Sequence, residues 1–438
     1  MEPNKPDQSL VRRLMIFFGL VYFMQGVGQA SGLVSQPLSY FFKEALGLNP
    51  AQTTEYLAIL TLPWVIKPLY GLISDFIPLF GYRRKSYLFL MNAVAAAGFL
   101  WLTGLTEPGQ IVTAMLLTAF GTASSDVLVD AVMVENGQAT DMTKQFQATQ
   151  WMWFNIAAIG TAWFGGYLCE HLSPTSALHT AAMITMFAPI AVMTATFFLV
   201  KEKKSQVNLE QLKSTGKGFL SVFKSKTLWA VVAFIAFWNF SPSFGTPFYY
   251  HMVDNLKFSQ GFIGLLGMLG AIGSVIGAYT FRRWIAGRFS TKKLLAASIV
   301  LGTVSTLSNL LLVTPYLSTM SLPLIGTFTV SQGIAAALTL VFSVVSIWAM
   351  LTVLGLAADA CPSQAEGFTF AFLMSVYNFA AQGSAIIGAR LYTYVLGEQL
   401  TPLIWISAGF TAAAFLLFPL LRGVFRKEAE EKKGGDRK

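Results

Sequence analysis

Long apolar stretches recur along this chain, and a few charges sit inside them. Lys67, Asp126, Asp130 and Arg390 each fall within a segment that otherwise reads as a membrane-spanning helix. A charge near the bilayer centre costs about 2.5–3.5 kcal/mol on insertion scales. Residues that persist at that cost are paired, face a cavity or mark a substrate or ion path, so a polytopic carrier is the first hypothesis.

A bilayer crossing needs about 20 apolar residues at a rise of about 1.5 Å each. Twelve segments qualify: 14–42, 52–76, 86–106, 109–136, 146–169, 176–200, 228–252, 259–285, 292–314, 324–359, 367–396 and 400–422. The tenth is too long for one simple crossing. Of the 438 residues, 54% are hydrophobic and 12% charged, where a soluble domain carries about 25% charged residues. The expected fold class is an all-α membrane protein of twelve transmembrane helices.

The net charge of +9 would suit a nucleic-acid partner, but its distribution argues against one. Lys and Arg collect in alternate loops: Arg83, Arg84 and Lys85; seven lysines between 201 and 226; Arg282, Arg283, Arg288, Lys292 and Lys293; and the tail from Arg426. The intervening loops hold little beyond Lys43 and Lys257. This positive-inside pattern places both termini in the cytoplasm, and the bilayer is the expected macroscopic partner. On this topology Cys169 and Cys361 lie at opposite faces and do not pair. No nucleotide loop, metal-ligand cluster or nucleophile elbow is present, so neither an enzyme nor a cofactor is expected. An intramembrane hydrolase built on Asp126 and Asp130 is the formal exception.

The polar stretch 201–227 divides the chain into a cytoplasmic arm (1–13), a six-helix half (14–200), this linker, a second six-helix half (228–422) and a basic tail (423–438). An internal echo supports two pseudo-symmetric halves. Asn155, Gly160 and Gly165 recur, at an offset of 223, as Asn378, Gly383 and Gly388. Repeated halves are common in secondary carriers, which bind substrate near the midplane. Glycines 261, 264, 267, 270, 273 and 277 line one span, as tight packing or a sliding surface requires.

Lys67 is framed by Pro63 and Pro68, each of which removes a backbone donor and bends the helix. A locally open helix bearing an ammonium suits an anion; a structural ion pair with a carboxylate of the fourth span is the alternative. Asp126 and Asp130 are four apart, hence on one helical face. Two such carboxylates resist double ionisation; they could carry a proton, accept hydrogen bonds from a heterocycle, or brace helices. Arg390 could clamp a carboxylate bidentately or snorkel outward. Gln147, Gln150, Trp151, Trp153 and Asn155 on the fifth span, and Trp238, Asn239, Phe244, Tyr249 and Tyr250 on the seventh, suit a planar polar ligand. Gln25, Gln29, Asn378 and Gln382 are further candidates.

The run from Gly71 through Asp75 to Gly81 and Arg83-Arg84-Lys85 resembles the cytoplasmic loop motif of the major facilitator superfamily. Gly71, Asp75, Arg83 and Arg84 are therefore the candidate cytoplasmic gate, Asp75 meeting a loop arginine or a helix N-terminus. More specifically, LPWVIKPLYGLISDFIPLFGYRRKSYL (62–88), SDVLVDAVMVE (125–135), FWNFSPSFGTPFYY (237–250) and ADACPSQAEGFTFAFLMSVYN (358–378) resemble the folate–biopterin transporter family, a branch of that superfamily. Lys67, Asp75, Arg83, Asp126 and Asp130 match its charged positions; Arg390 is not securely matched.

The resemblance implies a major facilitator fold and a secondary active, alternating-access carrier of folates or pterins, with symport of protons as a further expectation. The substrate-binding set is Lys67, Asp126, Asp130, Gln150, Trp153, Asn155, Asn239, Phe244, Asn378 and Arg390, with Asp126 and Asp130 as proton-coupling residues. A monomer is expected, in the plasma (inner) membrane of a bacterium or the plastid envelope of a plant. The alternatives are a carrier of another aromatic or carboxylated anion (muropeptide-like or acyl-CoA) and a non-transporting receptor.

Overall fold

The computed structural model describes residues 8–140, 142–205, 225–286, 288–322, 326–361 and 366–426. The expected arm, linker and tail lie partly outside these, at 1–7, 206–224 and 427–438, as does part of the 358–378 run. The chain divides into two compact units: Met1–Leu48 with Ile59–Lys213, and Asn49–Ala58 with Ser214–Lys438.

Nine helical stretches among the described residues are long and apolar enough to cross a bilayer. In the first unit these are α1 (Gln8–Gly28), α6 (Lys85–Leu102), α7 (Pro108–Thr140) and the pair α9 (Pro174–Thr185) and α10 (Phe187–Leu199). In the second they begin with α13 (Gln260–Thr280), α14 (Thr291–Ser308), α15 (Val330–Asp359), α16 (Glu366–Arg390) and α17 (Leu400–Ala413). Three expected spans differ in physical character. The second is α3 (Pro50–Ile59), α4 (Leu62–Val65) and α5 (Lys67–Phe76), interrupted because Pro63 and Pro68 start new helical turns better than they continue old ones. The fifth is one long helix, α8 (Thr143–His171), with Gln and Thr recurring in it and Asn155. The seventh is α11 (Lys226–Asn239) and α12 (Gly245–Asp254), parted at Pro242.

The expected first span, 14–42, also changes. α1 starts earlier and stops at Gly28, and the chain turns before resuming as α2 (Ser35–Tyr40). The overlong tenth segment has a local cause. Residues Gly326–Thr329 form strand β2, antiparallel to β1 (Thr319–Leu322), with Thr319 opposite Thr329. The helix begins only afterwards, where the Thr329 hydroxyl and the Gln332 side chain close a reciprocal capping box. Hydropathy averaged over a long window merges this short strand, with Phe328 as its apolar residue, with the apolar helix that follows it.

In the first unit the core is aromatic: Phe17, Phe18 and Phe146 are fully buried with Leu88 and Val129, and the rings of Phe18 and Phe146 lie 5.1 Å apart. The second unit's largest cluster joins Val231, Phe234, Ile235, Val353, Leu356 and Leu373. Large apolar side chains also face outward, among them Phe198 (68% exposed), Phe379 (67%) and Leu416 (78%). In water such surfaces would aggregate, whereas hydrocarbon solvates them and leaves helical backbone to satisfy itself. Neither Cys169 nor Cys361 forms a disulfide among the described residues.

Small residues set the closest helix contacts. A Cβ on Gly98 would come within 2.8 Å of the Ala114 carbonyl oxygen on α7, and one on Gly121 within 2.8 Å of the Ala95 Cβ on α6. Gly273 and Gly277 sit similarly against Leu340 and Val344 of α15, so these members of the glycine-rich face serve packing within their unit. The sequence echo has a structural counterpart in each unit. Gly165 of α8 backs the break after α1, where its Cβ would stand 3.2 Å from the Leu33 carbonyl oxygen. Gly388 of α16 backs the break between α11 and α12, where any Cβ would overlap the Ser243 backbone.

Replacing Gly121 with Val forces α6 and α7 apart. The expected loss is about 1–3 kcal/mol, the usual cost of overpacking, seen as a lower melting temperature of the purified protein in detergent.

Candidate functional site

The first unit gathers four of the expected polar residues into one connected set. Lys67 opens α5 just after the irregular Ile66, so its side chain leaves a broken helix rather than a continuous one. The break is held by the Tyr70 hydroxyl, which donates to the Pro63 carbonyl oxygen at 3.0 Å. Lys67 Nζ donates to Asp126 Oδ2 at 2.5 Å and lies 4.3 Å from the centre of the Trp64 ring. One turn along α7, Asp130 accepts from the Tyr22 hydroxyl of α1, and Gln150 Nε2 of α8 points at the same oxygen from 3.5 Å. Asp126 is 8% exposed and Gln150 is 1% exposed. Among the described residues the two carboxylates thus differ: one is paired with a cation, the other accepts from neutral donors.

Ion pairing in a low-dielectric interior compensates desolvation only when both partners remain matched. A substrate anion could take the ammonium if Asp126 were protonated or otherwise matched in exchange. Close by in sequence, the buried Gln25 amide finds no partner for either Nε2 or Oε1 among the described residues. It lies three residues after Tyr22, on the same side of α1.

A second charged cluster lies where α5, α6 and α7 meet. Arg84, 5% exposed, precedes α6 and donates to the Ser74 hydroxyl at 2.7 Å, to Asp75, and to Glu135 at 2.8 Å. Burial alone would lower the Arg84 pKa; Asp75 and Glu135 outweigh it and leave the guanidinium more firmly charged than usual. Arg84 is therefore the centre of the cluster. Arg83 lies at its margin, 3.9 Å from Glu135. Gly71 faces α7, where a Cβ would make an ordinary contact with Val127 at 3.6 Å.

Sequence reading missed Glu202. Its carboxylate accepts from three successive backbone N–H groups: Arg83 at 2.8 Å, Arg84 at 3.1 Å and Lys85 at 2.8 Å. It caps the otherwise unpaired N-terminus of α6, where helix polarity favours an anion. A Glu among lysines in 201–204 reads as solvated linker, so no local signal marks this role. Tyr22 was also missed, because a single Tyr in an apolar helix looks like packing.

The other candidates are placed differently. Trp153 packs beside Gly19 and against Phe23, with ring centres 6.1 Å apart. Asn155 donates back to the Trp151 carbonyl oxygen of its own helix at 2.7 Å. In the second unit, Phe244 packs with Phe248, Tyr392 and Leu400. Asn378 lies on α16, half-buried. Arg390 Nε meets a carboxylate of the chain itself, donating to Glu55 Oε1 at 2.7 Å. Near it, the buried Thr53 and Tyr250 hydroxyls bond at 2.8 Å. Asn239 lines a cavity described below. No group of His, Cys, Asp and Glu able to hold a metal occurs among the described residues.

Comparison with known proteins agrees with this architecture. The BT1 family model matches residues 25–420. A folate–biopterin transporter of Synechocystis sp. is 31% identical over 401 residues, covering 90% of this chain and 76% of that protein. Folate transporter 1 of Plasmodium falciparum is 25% identical over 412 residues, with the same coverages of 90% and 76%. Among solved structures, the nucleoside transporter NupG matches with a TM-score of 0.68 at 16% identity, over 95% of this chain and 100% of that one. The POT family transporter PepTSo matches with a TM-score of 0.70 at 12% identity, over 97% and 99%. At these identities the structures speak to fold alone, that of helical major-facilitator-type transporters.

Substituting Glu202 with Ala uncaps α6 and loosens the backbone that carries Arg84. The expected cost is about 0.5–2 kcal/mol, the range for losing a helix cap. It is measured as a lowered melting temperature, with faster hydrogen exchange at the amides of Arg83, Arg84 and Lys85.

Proposed function

Because this chain belongs to the BT1 family and is a multi-pass integral membrane transporter, we propose that it carries folates or pterins by alternating access. The reading rests above all on the Lys67–Asp126 pair beside Asp130, a cation and two carboxylates on broken or buried helices of one unit. The relatives named for folate and biopterin transport support the substrate class. A folate presents a glutamate tail, which calls for a cation, and a pterin ring with an amino group and ring N–H donors, which a carboxylate or amide accepts.

In this reading Lys67 exchanges its partner Asp126 for a substrate carboxylate, and Asp126 or Asp130 takes up the proton that keeps the site neutral. Symport follows from that neutrality, since a bare carboxylate left in a low-dielectric site is the costly alternative. Arg84 with Asp75 and Glu135 forms the cytoplasmic gate, with Arg83 at its edge, and Glu202 holds it from the linker. Glu55 and Arg390 with Thr53 and Tyr250 tie α3 to α12 and α16, and serve as a latch rather than a substrate clamp.

The proposal extends to twelve crossings in two six-helix halves. The glycines backing each unit's broken first helix support such a repeat. Both termini then face the cytoplasm, as the loop charges direct, and the carrier works as a monomer.

Uptake of labelled folic acid into proteoliposomes tests the function. Wild type is expected to accumulate folic acid, faster under an inward proton gradient, while Lys67→Ala inserts normally and loses at least nine-tenths of uptake. Near-wild-type uptake by that variant removes Lys67 from the mechanism, and no uptake of folic acid or biopterin by wild type rejects the substrate class. Asp130→Asn is expected to bind substrate but lose its response to the gradient; an unchanged pH profile rejects Asp130 as the proton site.

A further inference from the structure

The second unit contains a polar cavity of about 210 Å³ among α11, α14, α15, α16 and α17. It carries no charged side chain in its lining. Its polar groups are Asn239, Ser305, Thr306, Ser346, Tyr377 and Thr411, and its aromatic wall includes Trp238.

Apart from Thr411, these hydroxyls behave unlike their neighbours. Ser and Thr within helices commonly return their proton to a carbonyl one turn back. Thr303 does so to Ile299 at 2.7 Å, Thr352 to Trp348 at 2.8 Å, Ser375 to Ala371 at 3.0 Å and Thr411 to Ser407 at 3.0 Å. Ser305, Thr306 and Ser346 make no side-chain hydrogen bond among the described residues, and neither does the Tyr377 hydroxyl. Thr306 is 7% exposed, and its hydroxyl opens onto the cavity without a protein partner among the described residues. Asn239 spends its amide N–H on the Ile235 carbonyl oxygen at 2.8 Å, which leaves Oδ1 as an acceptor. α11 ends at Asn239, before Pro242, so the cavity lies at a helix terminus.

Hydroxyls that face a cavity without a bond to the protein are free to bond what enters it; Thr306 is buried, Ser305 and Tyr377 are half-buried and Ser346 is exposed. Here the groups are hydroxyls that donate or accept, one amide oxygen and an indole. A lipid tail would leave every hydroxyl unpaired, and an ion would find no counter-charge. The volume is below the roughly 300 Å³ at which pockets for drug-sized ligands begin, so it suits one ring system rather than a whole folate.

We propose that this cavity is the subsite for the uncharged heterocyclic ring of the substrate. It rests on the reading above, in which that ring is a pterin: Trp238 covers its face, Asn239 Oδ1 accepts from its amino group, and the Thr306, Ser346 and Tyr377 hydroxyls meet its nitrogen and oxygen edge. The negatively charged tail is left to cationic residues outside the cavity. Ring recognition and charge recognition then belong to different residues and are separable by ligand.

The experiment measures displacement of labelled folic acid from the purified full-length protein by biopterin, which is the ring without the tail, and by p-aminobenzoylglutamate, which is the tail without the ring. The isosteric variants Thr306→Val and Tyr377→Phe are compared with wild type, with melting temperatures confirming that each is folded. Each variant is expected to weaken biopterin and folic acid by about tenfold, on the order of one lost hydrogen bond, and to leave p-aminobenzoylglutamate within about twofold of wild type. Unchanged biopterin affinity in both variants, or an equal loss for p-aminobenzoylglutamate, overturns the subsite while leaving the carrier function standing. Failure of wild type to bind either folic acid or biopterin overturns both.

Discussion

The pairing of Lys67 with Asp126 is the interaction around which the first unit's chemistry is arranged. An ammonium in an apolar bundle needs a carboxylate, and the carboxylate needs a buried helix to hold it. α7 provides that helix, packed against α6 through Gly98 and Gly121. α5 starts at Lys67 because Pro63 and Pro68 interrupt the segment, so the cation emerges at a break. Asp130, one turn away, shares the same walls, but among the described residues its donors are Tyr22 and Gln150. The difference between the two carboxylates follows from what α1, α5 and α8 present to them.

The charged cluster at the other end of α5 follows the same logic with more partners. Arg84 has a planar fork that serves Ser74, Asp75 and Glu135 at once, which a lysine could not do. Its backbone is fixed by Glu202, whose carboxylate takes three successive amides. Side chains of α5 and α7 and the start of the linker therefore converge on one residue. A motion of α5 that withdrew Asp75 would leave Arg84 buried with fewer partners, which is why this cluster suits a two-state gate.

Much of this was legible residue by residue. Proline spacing around Lys67, the four-residue interval of Asp126 and Asp130, and the Gly–Asp–Arg loop all predict local geometry that the structure contains. Partners across the fold were not legible. Glu202 lies 118 residues from Arg84 and Tyr22 lies 108 from Asp130, and neither carries a mark in its own neighbourhood. Arg390 read as a carboxylate clamp or as a cation snorkelling outward, because a cation in an apolar helix looks available; Glu55, 335 residues away, meets it. The β-hairpin before α15 was absorbed into an apolar run, since hydropathy does not distinguish four strand residues from one helical turn.

Chain composition and periodicity determined the solvent of this protein and its class. Segments of twenty apolar residues have few solutions other than helices in a bilayer, because backbone polar groups have no water there. Which charges meet, which hydroxyls turn back to their own helix and which face a cavity were decided by tertiary packing. Those choices depend on helix rotation and on breaks of a residue or two. A shift of one residue turns a helix by about 100°, enough to move a side chain from lipid to cavity without altering the pattern that names the helix.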